Sequence, residues 1–246
     1  MSADDVKNSF AEVREKMFAS RVELRNHVVE NAERGNLQNI IDTIDKYGWT
    51  KQWMMNIGDR KGKILDQAIQ TRKPKSVLEL GQISFIVHHQ NRFCACLGTF
   101  LGYSSLRIVA QLPNDAVFIT IEGDSQSAEI ARSIHEYAGV TNRIKIVNGY
   151  TENVIPRLRQ DFNIESFDLI FIDHYGAAYL PDLKLLEKLG LIKSGTMIVA
   201  DNVITPGAPD YLEYVRKNPN YTSTLYEENI EYSEDIRDGV EISIRK

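Results

Sequence analysis

Three consecutive stretches decide the fold: FDLIFID at 167–173, LPDLKLLEKLG at 180–190 and GTMIVAD at 195–201. The first and third are short, almost unbroken apolar runs that each close on an aspartate. The second is amphipathic and long enough for a helix. Strands covered on both faces read as near-continuous apolar runs, and a helix between two of them makes a parallel crossover. The same pattern repeats upstream, in SVLEL (76–80), AVFITIE (116–122) and RIKIVN (143–148), with SAEIARSIHEYAG between the second and third of these. Downstream, STLYEEN (223–229) and GVEISIRK (239–246) have no helix between them and read as an antiparallel hairpin at one edge. The expected class is therefore α/β: a seven-stranded, mostly parallel sheet with helices on both faces and an antiparallel C-terminal strand pair.

Ahead of the sheet, residues from about 4 to 72 read as N-terminal helices. Leu37, Ile40, Ile41 and Ile44 follow a helical period, Asn36 is placed to cap them, and Gly48 is expected just past the helix end. Asp59 opens a further helix with an apolar stripe at Ile64, Ala68 and Ile69. No linker or repeat divides the chain, so one domain over 1–246 is expected, with the sheet core from about 75.

Composition narrows the function. With 43% hydrophobic and 26% charged residues, the 246-residue chain is an ordinary globular one, long enough to hold a core without disulfides. A net charge of −5 argues against binding duplex nucleic acid. No apolar run approaches the roughly 18 residues of a membrane span. The first residues are charged with no apolar core, unlike a secretory signal. Cys94 and Cys96 are too close to staple a fold. These readings predict a cytoplasmic protein with neither nucleic acid nor membrane as partner.

In such a sheet, ligands bind beyond the carboxyl ends of the strands. The residues there are Glu79 to Gly81, Glu122, Gly149, Asp173 with His174, and Asp201 with Asn202. Glu122 is suited to accept from ribose hydroxyls, or is a solvated strand end. Asp173, Asp201 and Asn202 offer three hard oxygen ligands suited to Mg²⁺; equally, Asp and Asn cap helices, and the spacing alone leaves both open. His174 reads as packing on a cofactor ring or as structural. Trp53, Met54 and Met55 are either core or an apolar wall for a flat ligand.

Longer stretches carry a family resemblance. NHVVENAERGN, KQWMMNIGDRKGKI, VLELG, GYSSLR, ITIE, FIDH, YLPD and LLEKLGLIKSGTMIVADNVITPGAPDYL, with IEY before DGVE, run in order from about residue 27 to the C-terminus. The chain resembles the catechol O-methyltransferase family, class I enzymes with a Rossmann-like sheet that use S-adenosylmethionine and Mg²⁺. The resemblance implies transfer of a methyl group to one hydroxyl of a small-molecule catechol by a monomer. Asp173, Asp201 and Asn202 match the family's metal ligands, which favours metal over caps. Met55, Asn56, Glu79, Gly81, Tyr103, Ser104, Glu122, Gly149, Glu152 and His174 fall on cofactor positions. Trp53 and Pro206 match residues gripping the catechol ring, with Tyr175 in place of a tryptophan there. Asn202 also faces substrate, and Glu231 matches the carboxylate that holds the hydroxyl left unmethylated. Asp173 and Glu231 are thus the expected catalytic pair.

The sequence departs from the family twice. Gly176 stands where the family has a lysine able to take the phenol proton, which implies slow turnover and predicts that Gly176→Lys speeds it. Residues 82–98, QISFIVHHQNRFCACLG, interrupt the cofactor loop, since without them the sequence reads ELGTFLGYSSLR. Their spacing of His88, His89, Cys94 and Cys96 fits no common zinc motif. The segment reads as a retained intron or gene-model error, or as a lineage-specific loop. Its apolar residues are expected to protrude or to fold across the cofactor pocket. A cofactor-binding paralogue without activity, and a methyltransferase for another diol, are the competing readings.

Overall fold

A computed structural model of the chain describes residues 19–81, 84–88, 92–96 and 100–246, with the backbone alone at 84–88, 92–96 and 100. Helix α1 (residues 19–31) is followed by α2 (Leu37–Thr50) and α3 (Gly58–Arg72). Strand β1 (Ser76–Leu80) opens the sheet, which continues through β4 (Val117–Glu122), β5 (Lys145–Asn148), β6 (Phe167–Ile172), β7 (Ile192–Ala200), β8 (Tyr221–Asn229) and β9 (Arg237–Arg245). The helices between are α4 (Tyr103–Gln111), α5 (Ser125–Tyr137), the short α6 (Thr151–Val154) and α7 (Leu158–Phe162), α8 (Gly176–Lys188) and α9 (Pro209–Lys217). The seven strands run in the order β5-β4-β1-β6-β7-β9-β8, parallel through β7, with β9 antiparallel between β7 and β8. This is the seven-stranded, mostly parallel sheet with an antiparallel C-terminal pair expected from the apolar runs. The last strand, not β8, inserts next to β7, so β8 forms the edge.

Alternation along each strand sorts the core into two layers. Val77, Leu169, Phe171 and Val199 pack with Leu24, Ile40, Leu65 and Leu106 on the face covered by α1–α5. Leu78, Ile170, Ile172 and Ile198 pack with Leu158, Leu183, Leu186 and Val215 on the other. Among the described residues, no helix is long and apolar enough to cross a membrane.

Two local findings differ from the sequence reading. Asn36 does cap α2, its side chain accepting from the Asn39 amide, but Gly48 lies within the helix. A Cβ there would fall 2.6 Å from the Tyr232 ring, so the glycine admits that ring against the helix. The interrupting segment contributes its own hairpin, β2 (Ser84–His88) and β3 (Arg92–Cys96), which pairs with none of the seven strands. Its side chains lie outside the described residues, and with them the zinc question and the protrusion or folding-back of its apolar groups. Gly102, which follows that segment, sits at φ +79°, where a Cβ would run into the His135 imidazole. Burial holds that ring neutral, its pKa lowered to about 4.

Candidate functional site

Backbone pairing places the expected residues in one row. The amide of Gly149 donates to Glu122 O, Gly81 to Ile121 O, Asp173 to Leu80 O and Asp201 to Ile172 O, each at 2.9–3.1 Å. Every one of these residues therefore sits one step beyond a strand end, at the edge where a parallel sheet presents its ligand site.

On the β1–β4 side the groups are buried and polar. Glu79 accepts from Ser104 Oγ and, at 2.6 Å, from Ser105 Oγ. Glu122 is fully buried; one oxygen accepts from the Asp124 amide at 2.9 Å and the other has no hydrogen-bond partner among the described residues. Burial raises its pKa to about 8. Buried carboxylate oxygens left without donors are costly, so an external pair of hydroxyls suits this position. Tyr103 is buried, its hydroxyl donating to Asp45 at 2.5 Å. Glu152 is exposed in the first turn of α6.

On the β6–β7 side a cavity of about 200 Å³ opens. Trp53, Met55, Pro206 and Ile230 form apolar walls, and Asp173, Asn202 and Glu231 supply the polar groups. Trp53 is 46% exposed, its indole N–H donating to Glu231 O at 2.8 Å. His174 also lines the cavity, bonded through Nε2 to Asp182 at 2.8 Å and stacked on Tyr179. Met54 belongs to the core instead. Tyr175, expected with Trp53 and Pro206, is the N-cap of α8 and is not among the residues lining the cavity.

The aspartates do not serve as helix caps: α8 is preceded by Tyr175 and has no side-chain cap, and neither has the turn at 203–207. Instead they form a charge cluster around a lysine that the sequence reading missed. Lys61, 1% exposed, projects from α3 and lies 2.9 Å from Asp201 Oδ1, 3.1 Å from Glu231 Oε2 and 2.7 Å from Asp238 Oδ2. Its signal was present, because Lys61, Leu65, Ala68 and Ile69 share one helical face. Asp238, also missed, holds Asn202 Nδ2 at 2.9 Å.

The electrostatics remain unbalanced. Four carboxylates, Asp173, Asp201, Glu231 and Asp238, face the single ammonium of Lys61. Burial and the neighbouring Asp201 push the Asp173 carboxyl well above the usual range, and burial raises Asp201 to about 7 against the opposing pull of Lys61. No donor among the described residues meets the Asp173 carboxylate. Among those residues no three His, Cys, Asp or Glu side chains are gathered to hold an ion, so a cation here would need Asn202 as third ligand. The amide nitrogen of Asn202 is engaged by Asp238, which leaves its oxygen for that role. Two carboxylates, one carboxamide oxygen and surplus negative charge fit a hard divalent cation.

Gly176 borders the cavity, but a Cβ there would run into the carbonyl oxygen of Gly207. A lysine at 176 therefore requires the 203–207 turn to move, and the expected gain from Gly176→Lys does not follow from the sequence alone.

Comparison with known proteins gives a consistent relationship. The family model described as O-methyltransferase matches residues 83–244. Catechol O-methyltransferase B of Danio rerio is 42% identical over 217 residues, covering 88% of this chain and 75% of that one. Catechol O-methyltransferase of Bos taurus is 35% identical over 236 residues, covering 95% and 80%. Among solved structures, the O-methyltransferase from Bacillus cereus in complex with SAH superimposes with a TM-score of 0.66 at 20% identity, covering 87% of this chain and 92% of that one.

Proposed function

The chain belongs to the O-methyltransferase family, alongside the catechol O-methyltransferases, and from that premise we propose that it transfers a methyl group from S-adenosylmethionine to one hydroxyl of a catechol with the help of Mg²⁺. The observation that carries this reading is the uncompensated carboxylate cluster at the foot of an apolar, ring-sized cavity. Asp173, Asp201 and Asn202 would hold the cation, whose chemistry when bound is to polarise phenolic oxygen and stabilise its anion.

The chain's own residues do the rest. Trp53, Met55 and Pro206 enclose the ring and exclude water, which favours a step in which a phenolate and a sulfonium lose their charges together. Glu231, fixed by Lys61 and by the indole bond to its carbonyl, accepts from the hydroxyl that is not methylated. Glu122 takes the ribose hydroxyls of the cofactor, giving its free oxygen a partner, and Glu79 with Ser104 and Gly81 shapes the turn beside it. Met55, Asn56, Tyr103, Gly149, Glu152 and His174 complete the proposed cofactor contacts. With glycine at 176, the attacking hydroxyl has no lysine base, so turnover should be slow and rise with pH toward the pKa of the bound phenol. General-base assistance of the missing kind is worth about 10²–10⁴ in rate.

The test is to incubate the protein with methyl-labelled S-adenosylmethionine, Mg²⁺ and a simple catechol. A monomethylated product is expected, lost with chelator and restored by added Mg²⁺. Undiminished transfer in chelator would overturn the metal role. Cofactor binding without any transfer would favour the paralogue that binds and does not react.

A further inference from the structure

Asp238 stands near the start of β9, fully buried and outside the cavity wall. All of its acceptor positions are used. Oδ1 accepts from the amides of Ile204 at 3.2 Å and Thr205 at 2.9 Å; Oδ2 accepts from Lys61 Nζ at 2.7 Å and Asn202 Nδ2 at 2.9 Å. These four donors lead to different parts of the site. Lys61 goes on to Asp201 and Glu231. The two amides belong to the turn that carries Pro206.

We infer that Asp238 is the positioning residue of the proposed cation site, orienting Asn202 so that its carboxamide presents oxygen, and holding Lys61 where it fixes Asp201 and Glu231. The inference rests on the divalent-cation reading above. An asparagine side chain can rotate by half a turn with little change of shape, exchanging its oxygen for its nitrogen. The nitrogen also reaches the Thr205 carbonyl at 3.3 Å, but Asp238 is the closer and charged acceptor, and a donor at 238 would draw the oxygen away from the cavity. An amide at 238 fails in a second way, having one acceptor oxygen for four donors. Groups that orient a metal ligand in this manner are typically worth about 10–100-fold in metal affinity.

The test uses the full chain with S-adenosylhomocysteine bound, titrated with Mn²⁺ and followed by electron paramagnetic resonance, while calorimetry reports S-adenosylhomocysteine affinity. Wild type should bind one Mn²⁺. Asp238→Asn should bind it at least about tenfold more weakly, with S-adenosylhomocysteine affinity changed less than about twofold, because Asp238 bonds to none of the proposed cofactor residues and the buried cofactor carboxylates Glu79 and Glu122 lie across β6 on β1 and β4. Unchanged Mn²⁺ affinity overturns the inference. So does an equal loss of both affinities, which would mean general loosening. If wild type itself binds no Mn²⁺, the metal reading fails and takes this inference with it. The double variant Asp238→Asn/Asn202→Asp reverses donor and acceptor while keeping the tether, and should recover Mn²⁺ affinity in part, to within about fivefold of wild type, because Lys61 and the two turn amides still share one acceptor oxygen. It also serves if Asp238→Asn does not fold. A double variant that folds but stays tenfold weak, or two variants that both fail to fold, would overturn the positioning role.

Discussion

Replacing Asp173 by alanine is expected to abolish methyl transfer while raising the melting temperature of the cation-free protein. The two effects have one cause. The Asp173 carboxylate is held at a strand end beside Asp201, with no donor of its own among the described residues and with burial and like charge both opposing its ionised form. For folding it is a burden; for holding a cation it is required. Its removal should lower turnover by at least about 10³-fold, in line with losing a metal that stabilises the reacting oxygen by several kcal/mol. It should also relieve on the order of 1 kcal/mol, about 2–4 °C in melting temperature for a chain of this size. Added Mg²⁺ should then raise the melting temperature of wild type and leave the variant unmoved. A variant less stable than cation-free wild type would show that Asp173 is a structural group.

Lys61→Met should have the opposite character. Among the described residues Lys61 is the only ammonium within reach of Asp201, Glu231 and Asp238, and its side chain is fully covered. Removing one partner of a buried ion cluster strands the others, a cost of about 3–5 kcal/mol. The sign of the pH dependence follows. Without the ammonium the carboxylates' pKa values rise further, so at acid pH they take up protons and the penalty shrinks. Denaturant unfolding at pH 8 and pH 5 checks this: the gap between wild type and variant should be larger at pH 8. A loss under about 1 kcal/mol at both would mean the cluster is less desolvated than its burial indicates.

How far the sequence could carry this account depends on which physical signal each residue leaves. The central strands were readable because a parallel strand buried on both faces has no polar alternation; SVLEL became β1, and FDLIFID became β6 but for its last residue. The row of Gly81, Glu122, Asp173 and Asp201 followed, since topology alone sends strand ends to one edge. Lys61 and Asp238 were not seen because a buried charge looks in sequence like a surface one. Only its place on an apolar helical face marks Lys61, and nothing local marks Asp238, whose four donors come from residues 33 to 177 positions away. Gly48 was misjudged for a similar reason. A glycine near a helix end reads as a stop signal, whereas here it makes room for a ring that arrives from Tyr232. Tyr175 matched a ring-gripping position in the family, but the start of α8 places it outside the walls of the cavity.

The central claim is that two oxygens of one substrate are held together above Asp173, Asp201 and Asn202. The most direct measurement is the initial rate of methyl transfer to catechol, to resorcinol and to phenol under the same Mg²⁺ and S-adenosylmethionine concentrations. All three present a phenolic hydroxyl to the same apolar walls, and only the vicinal diol can offer both oxygens to one ion. The kcat/KM for catechol is expected to lie at least about 10²-fold above the other two, the range expected when orientation of a reactant is lost. Equal rates for catechol and resorcinol would contradict it.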